Sequence, residues 1–268
     1  MVRAEVTGAG GGGETLATGR FASATAVNGG AVPKLAPAAR AGLRSRIKKR
    51  VAEVIPRAVL VRRGAGSARR VALTFDDGPD QMTDAYLDVL DRFGARATFF
   101  VVGEACVARR DALLRMVARG HEVAGHGFTH DPFTRMTADG LRGELRRTAA
   151  LLPPIAAGRP LVRPPTGATS LRSLALTARA GYTTVLWSRD SDDCRTMSAD
   201  LVAARLAPAA LTPGDIVLLH EGQTWTLAAL PRILEGLAAA GWHAVTVSEI
   251  LQPKASSEDT RDFQPKTS

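Results

Sequence analysis

Beyond Arg70 the chain alternates short β-rich runs with segments whose apolar residues recur at helical spacing. That alternation is the pattern of an α/β protein, a parallel sheet or barrel wrapped by helices. Seven strands are predicted: Val71 to Phe75, Thr98 to Val102, Glu122 to Ala124, Leu161 to Arg163, Thr183 to Trp187, Ile216 to Leu219 and Ala244 to Val247. Between them Met82, Tyr86, Val89, Leu90 and Phe93 mark one amphipathic helix; Leu113, Leu114 and Val117, stopped by Gly120, mark a second. Gly181 and Gly241 close later helices in the same way.

The ends of the chain read differently. Residues 1–38 are Gly- and Ala-rich, with too few bulky apolar residues to offset the entropy of ordering them, and are expected to be disordered. Residues 39–70 are expected to form a basic amphipathic helix and linker: Leu43, Ile47, Val51, Val54 and Ile55 would lie on one face of a helix over 40–56, with basic residues opposite. Such a stripe either packs on the main domain or lies on an anionic membrane surface, and the sequence weighs the two equally. Residues 71–252 are the expected barrel domain, and 253–268 a flexible tail.

Charge sharpens this division. The formal net charge is +9, but residues 34–70 hold 12 Lys or Arg against the single acid Glu53, and residues 1–33 balance. The body from residue 71 onward is therefore slightly acidic and offers no field for gripping a polyanion, so no nucleic-acid partner is expected. Two cysteines, Cys106 and Cys194, are too few for a disulfide framework and read as independent thiols. Met1 to Lys34 has no apolar signal core, and no run approaches the ~18 apolar residues of a membrane span. Read literally, this is a cytoplasmic or membrane-surface protein; a misassigned start would make it a cell-envelope one.

The chemistry-bearing residues fall in one place on the strand map. Asp76 and Asp77 end the first strand, His126 and His130 follow the third, and Arg163 ends the fourth. Asp190 and Asp193 follow the fifth, and His220 follows the sixth. All lie at C-terminal strand ends, the face on which parallel barrels build active sites. His121 and His243 sit just before their strands, at the opposite end. A His-x-x-x-His pair on a helical turn points both imidazoles one way, and with one carboxylate it makes the open three-ligand set of a catalytic zinc site. Of two adjacent carboxylates, one can bind the metal while the other remains a general base. Two solvated turn acids before Gly78-Pro79 are the bland alternative.

Five motifs in order, Thr74-Phe75-Asp76-Asp77-Gly78-Pro79, His126-x-x-x-His130, Arg163-Pro164-Pro165-Thr166-Gly167, Asp190-Ser191-Asp192-Asp193 and Leu218-Leu219-His220, resemble the polysaccharide deacetylases of carbohydrate esterase family four. The resemblance spans about Val71 to Leu251 and implies a distorted seven-stranded (β/α) barrel of TIM-like type. It implies Asp76 as catalytic base, Asp77, His126 and His130 as ligands of one divalent metal, and His220 as general acid. The metal would be zinc first, with cobalt, nickel or manganese as alternatives. Arg163 would orient Asp76, and Asp190 or Asp193 would poise His220. Pro165, Thr166 and Leu218 would line the substrate and oxyanion region, with the Thr166 backbone N–H as donor. The implied reaction is hydrolysis of an N-acetyl group on a glycan such as a chitooligosaccharide, peptidoglycan or an exopolysaccharide.

Three positions depart from that family: Gly127 stands where Ser or Thr is usual, Thr166 replaces an aromatic, and Cys194 replaces a Trp. Thr166 and Cys194 keep open an acetyl esterase or non-sugar amidase on the same site; a third reading is a catalytically silent glycan- or envelope-binding protein attached through the basic helix, against which the intact Asp76 and His220 argue.

Overall fold

The computed structural model describes residues 55–154 and 158–252. The leader, nearly all of the expected basic helix and the C-terminal tail lie outside the described residues.

In chain order the elements are β1 (Leu60–Val61), β2 (Arg70–Asp76), α1 (Thr83–Arg92), β3 (Thr98–Val101), α2 (Gly103–Ala108), α3 (Arg110–Ala118), β4 (Glu122–Gly125), α4 (Ala138–Ala149), β5 (Leu161–Val162) and α5 (Leu171–Arg179). Then come β6 (Thr183–Val185), β7 (Arg189–Asp190), α6 (Asp193–Thr196), α7 (Ala199–Arg205), β8 (Ile216–His220), α8 (Thr224–Ala239), β9 (His243–Val245) and α9 (Val247–Leu251). The strands pair in parallel in the order β1-β6-β5-β4-β3-β2-β8-β7, and β9 also pairs with β2. The sheet curls into the expected distorted barrel without a β7–β1 pairing; an antiparallel bridge and a 2.8 Å ion pair between Arg63 and Asp215 stitch the chain after β1 to the start of β8.

β2 shows why the sheet curls around a core. A strand buried on both faces is nearly all apolar, and alternate residues serve the two sides. Val71, Leu73 and Phe75 pack into the layer between sheet and helices, with Phe99, Val217, Leu219, Tyr86, Leu90 and Leu230. Ala72 points inward with Phe100, Ala124, Leu161, Val185, Ile216 and Val245, which fill the barrel interior. The inward series continues up the strand as Thr74 and then Asp76, so the apolar plug gives way to polar side chains at the C-terminal end.

All seven expected strands are present. Two further strands, β1 and β7, have two residues each, too few to show a period. β1 pairs in register with β6 (Leu60↔Thr184, Val61↔Val185), so the sheet begins ahead of the expected boundary at Val71. On α3 the buried stripe is Ala112, Leu113 and Met116, whereas Leu114 and Val117 are exposed. The apolar residues there were ambiguous because they occupy two faces of the same helix.

Candidate active site

Asp76 and Asp77 part at the end of β2. Asp76 continues the inward-facing series, with its side chain only 4 % exposed, beside the fully buried Arg163. Arg163 Nη1 donates to Asp76 Oδ1 at 2.6 Å and to Thr74 Oγ1 at 2.7 Å, and its Nε donates to the Val185 carbonyl. The guanidinium also lies 4.0 Å over the Phe100 ring. Burial lowers the Arg163 pKa from its usual value and the Asp76 carboxylate opposes that shift. Asp76 is thus clamped through Oδ1, and Oδ2 is left facing His126. Asp77 takes a left-handed backbone (φ 74), which swings its carboxylate away from Arg163 and out to the rim.

The two histidines do not sit on a helical turn, as the spacing had suggested. They bracket a loop after β4 in which Gly127 (φ 83) and His130 (φ 64) have left-handed backbone. A helix would place both rings on one face by period; here the positive φ angles do so, and the ring centroids lie 5.1 Å apart. Gly127 is therefore more than a missing hydroxyl, since a left-handed φ is readily adopted by glycine.

The loop is held from two sides. From the α2 end, Gly103 N–H donates to the Gly127 carbonyl and Glu104 N–H to that of Phe128, each at 2.9 Å. From α4, the buried carboxylate of Glu144 accepts the N–H groups of Phe128 at 2.7 Å and Thr129 at 3.0 Å, and the Thr129 hydroxyl at 3.3 Å. Arg147 covers the Phe128 ring at 3.5 Å. Glu144 was missed in the sequence, yet its signal is there: it interrupts the buried stripe Leu141, Leu145, Thr148 of α4 with an acid. Replacing Glu144 with Leu strands two backbone donors between the histidines. The expected result, read by competition with a chromophoric chelator, is a loss of divalent-metal affinity of about ten- to a hundredfold.

Asp77, His126 and His130 together fit a divalent cation. His126 Nδ1 lies 2.8 Å from the Arg163 carbonyl, which can only accept, so Nδ1 carries the proton and the Nε2 lone pair faces the site. That Nε2 is 3.5 Å from Asp77 Oδ1, which is 3.1 Å from His130 Nε2. Donor atoms about 2.0–2.1 Å from a tetrahedral zinc are separated by roughly 3.3 Å, so the spacing matches. Burial tends to raise the Asp77 pKa, but His126 and His130 beside it prevail and hold it well below the carboxylate range. The hydrogen bond to Asp77 raises His130 against the opposing effect of burial.

His220 stands at the end of β8, in register with Asp76 on the adjacent strand, about 4.8 Å away by strand spacing. Its ring Nδ1 lies 2.7 Å from Asp193 Oδ1. The other carboxylate oxygen, Oδ2, accepts the His220 N–H at 2.8 Å and the Thr226 hydroxyl at 2.9 Å, and Trp225 Nε1 donates to the Asp193 carbonyl at 2.8 Å. Burial would lower the His220 pKa, but Asp193, Cys194 and the charge of Asp76 outweigh it and push it up to about 11. Asp190 is not part of this pair: its carboxylate accepts the Asp192 N–H at 2.8 Å and shapes the turn into α6. Of the two aspartates left open by the sequence, Asp193 contacts His220.

Leu218 precedes His220 by two residues on the inward face of β8 and is buried. Pro165 is likewise buried, and Thr166 beyond it has a left-handed backbone (φ 59, ψ 8). Because Pro164 and Pro165 have no N–H, Thr166 supplies the first backbone donor after Arg163. Trp187, read in the sequence only as a strand end, packs so closely on Gly167 that a Cβ there would lie 2.5 Å from its ring.

The sequence profile of the family described as Polysaccharide deacetylase matches residues 63–185. The chain is 35% identical over 191 residues to a peptidoglycan-N-acetylglucosamine deacetylase of Bacillus cereus, a match covering 69% of this chain and 89% of that protein. It is 33% identical over 191 residues to a bifunctional xylanase/deacetylase of Pseudobutyrivibrio xylanivorans, covering 69% of this chain but 31% of that protein. The match likewise covers 40% of a peptidoglycan-N-acetylglucosamine deacetylase of Listeria monocytogenes, so the chain spans well under half the length of these two relatives. Among solved structures it is similar to a family 4 carbohydrate esterase from Streptomyces lividans in complex with acetate, with a TM-score of 0.61, 33% identity, and coverage of 67% of this chain and 93% of that one.

Proposed function

Because the chain belongs to the polysaccharide deacetylase family, we propose that it is a metal-dependent hydrolase that removes N-acetyl groups from a glycan. The observation that carries this reading is the joint arrangement at one barrel mouth: the three-donor set of Asp77, His126 and His130, with Asp76 beside it and His220 on the next strand.

In this reading Asp77 Oδ1, His126 Nε2 and His130 Nε2 hold one divalent cation, zinc by the donor types, with cobalt, nickel or manganese able to replace it. When bound, the cation lowers the pKa of water and polarises an acyl oxygen. Asp76 Oδ2, 3.7 Å from His126 Nε2, takes the proton from the attacking water, while Arg163 holds Oδ1 and fixes the carboxylate plane. The Thr166 N–H donates to the oxyanion as the carbonyl becomes tetrahedral, with Pro165 setting its direction. His220 carries a proton at neutral pH because Asp193 holds Nδ1–H, and it delivers the Nε2 proton to the departing amine nitrogen. Leu218 walls the site beside His220. Asp190 acts only through the turn that presents Asp193.

The test is acetate release from protein loaded with one equivalent of zinc across N-acetylated oligosaccharides, peptidoglycan fragments and acetyl esters. Release from amides supports the deacetylase; release from esters alone would replace it with an esterase, and none would leave a glycan-binding protein. With Thr166 and Cys194 in place of aromatic residues, fewer flat faces are available for stacking successive sugar rings. Short oligosaccharides are therefore expected to be turned over with a higher kcat/KM than long chitin or peptidoglycan chains, and equal or faster turnover of the polymers would contradict this.

A further inference from the structure

Cys194 is exposed and stands beside His220: its Sγ, a His220 ring nitrogen and an Asp193 carboxylate oxygen lie within 4.8 Å of one another. We propose that Cys194 and His220, backed by Asp193, form a second site for a thiophilic divalent cation, separate from the Asp77, His126 and His130 set, and that filling it removes His220 from acid catalysis. The binding half of this inference is independent of the deacetylase reading; the inhibitory half rests on it.

Ligand chemistry favours it. A thiolate and an imidazole select soft or borderline ions such as cadmium and zinc over calcium or magnesium. The pairing of Asp193 Oδ1 with His220 Nδ1 at 2.7 Å is the arrangement in which a carboxylate backs a metal-binding histidine, and it leaves Nε2 to act as ligand.

The cluster is also built in advance. Asp193 and Cys194 open the short helix α6, and Asp193 is fixed by the Trp225 indole, the Thr226 hydroxyl and the His220 N–H. The Cys194 N–H donates to Asp193 Oδ1 at 2.9 Å, which ties the thiol-bearing residue to the same carboxylate. The other thiol does not compete: Cys106 is buried, and burial pushes its pKa up to about 12. Binding involves no oxidation; the thiol proton and the Nε2 proton of His220 are expelled, two protons per cation.

The test titrates full-length protein carrying one equivalent of zinc, which the three-donor set of Asp77, His126 and His130 takes first, with cadmium ion while following the ultraviolet thiolate-to-cadmium charge-transfer band, proton release in weak buffer, and acetate release in the same samples. The band is blind to cadmium exchanging at the thiol-free site. The expected result is a band that saturates at one added equivalent with release of two protons, is absent in Cys194→Ala, and needs about tenfold or more cadmium in Asp193→Asn or His220→Ala. Loss of turnover should track the band in the wild type and not occur in Cys194→Ala, whatever the basal rate of that variant. A band that survives Cys194→Ala, or is indifferent to His220→Ala, overturns the site. Full turnover with the band saturated overturns the inhibition, whereas a protein with a band but no turnover on any acetylated substrate counts against the deacetylase reading and leaves the site standing.

Discussion

Asp76→Asn is expected to lower kcat by about a hundred- to ten-thousandfold while the protein still binds one divalent cation, because the variant keeps the shape of the residue and loses the base. The same change has a structural consequence that must be read separately. Asp76 is the anionic partner of Arg163, whose side chain has no exposure, and Nη2 of that arginine already lacks a hydrogen-bond partner. Breaking a buried pair by removing one charge typically costs about 3–5 kcal/mol, because the remaining ion stays desolvated. The Thr74 hydroxyl and the Val185 carbonyl still accept from Arg163 and soften that loss. The variant should therefore melt well below the wild type yet remain folded and metal-loaded at low temperature. Thermal denaturation, metal content and acetate release on one sample distinguish the two effects. A folded, metal-loaded Asp76→Asn variant with wild-type turnover would remove Asp76 from catalysis.

Asp193→Asn should act through His220. Replacing the carboxylate by an amide takes away the negative charge, and with it the charge-assisted hydrogen bond, that hold His220 protonated against burial. The alkaline limb of the kcat/KM profile is expected to move to lower pH by about 1–3 units, the usual effect of one adjacent opposite charge. The stability of the pair has a definite sign. The raised His220 contributes stability that is complete below its unfolded pKa and is lost as pH rises toward about 11. Asp193, held low by His220 against burial, contributes stability that is complete above its unfolded pKa and is lost as pH falls through its depressed value. The pair thus stabilises fully between roughly pH 4 and 6.5, the two unfolded values. Urea denaturation of wild type and Asp193→Asn should differ most in that window. A variant with an unmoved alkaline limb would mean that His220 does not set it.

Most of the sheet could be read from the sequence because a parallel strand buried on both faces must be almost wholly apolar, as Val71 to Phe75 and Ile216 to Leu219 are. The two-residue strands β1 and β7 could not, since they exist only because neighbouring strands pair with them. Leu114 and Val117 mimic a buried stripe, and only packing chose Ala112, Leu113 and Met116 instead.

The candidate site was legible to a similar depth. Side-chain chemistry and strand ends singled out Asp76, Asp77, His126, His130, Arg163 and His220, because polar residues closing apolar runs need a reason to be there. Their geometry was not legible. The histidine pair converges through left-handed residues in a loop, which spacing cannot reveal, and Glu144 reaches that loop from α4, 14 residues beyond His130.

By itself the sequence determined the alternation of strands and helices, the end of the barrel that carries chemistry, and the residue types gathered there, since all three follow from local pattern and chain order. Tertiary structure alone decided that Asp193 and not Asp190 grips His220, that Asp76 is buried on Arg163 while Asp77 faces the histidines, and that Cys194 stands against His220. Those choices depend on distances between segments far apart in the chain, and such distances are set by packing and cross-strand register, which no local pattern encodes.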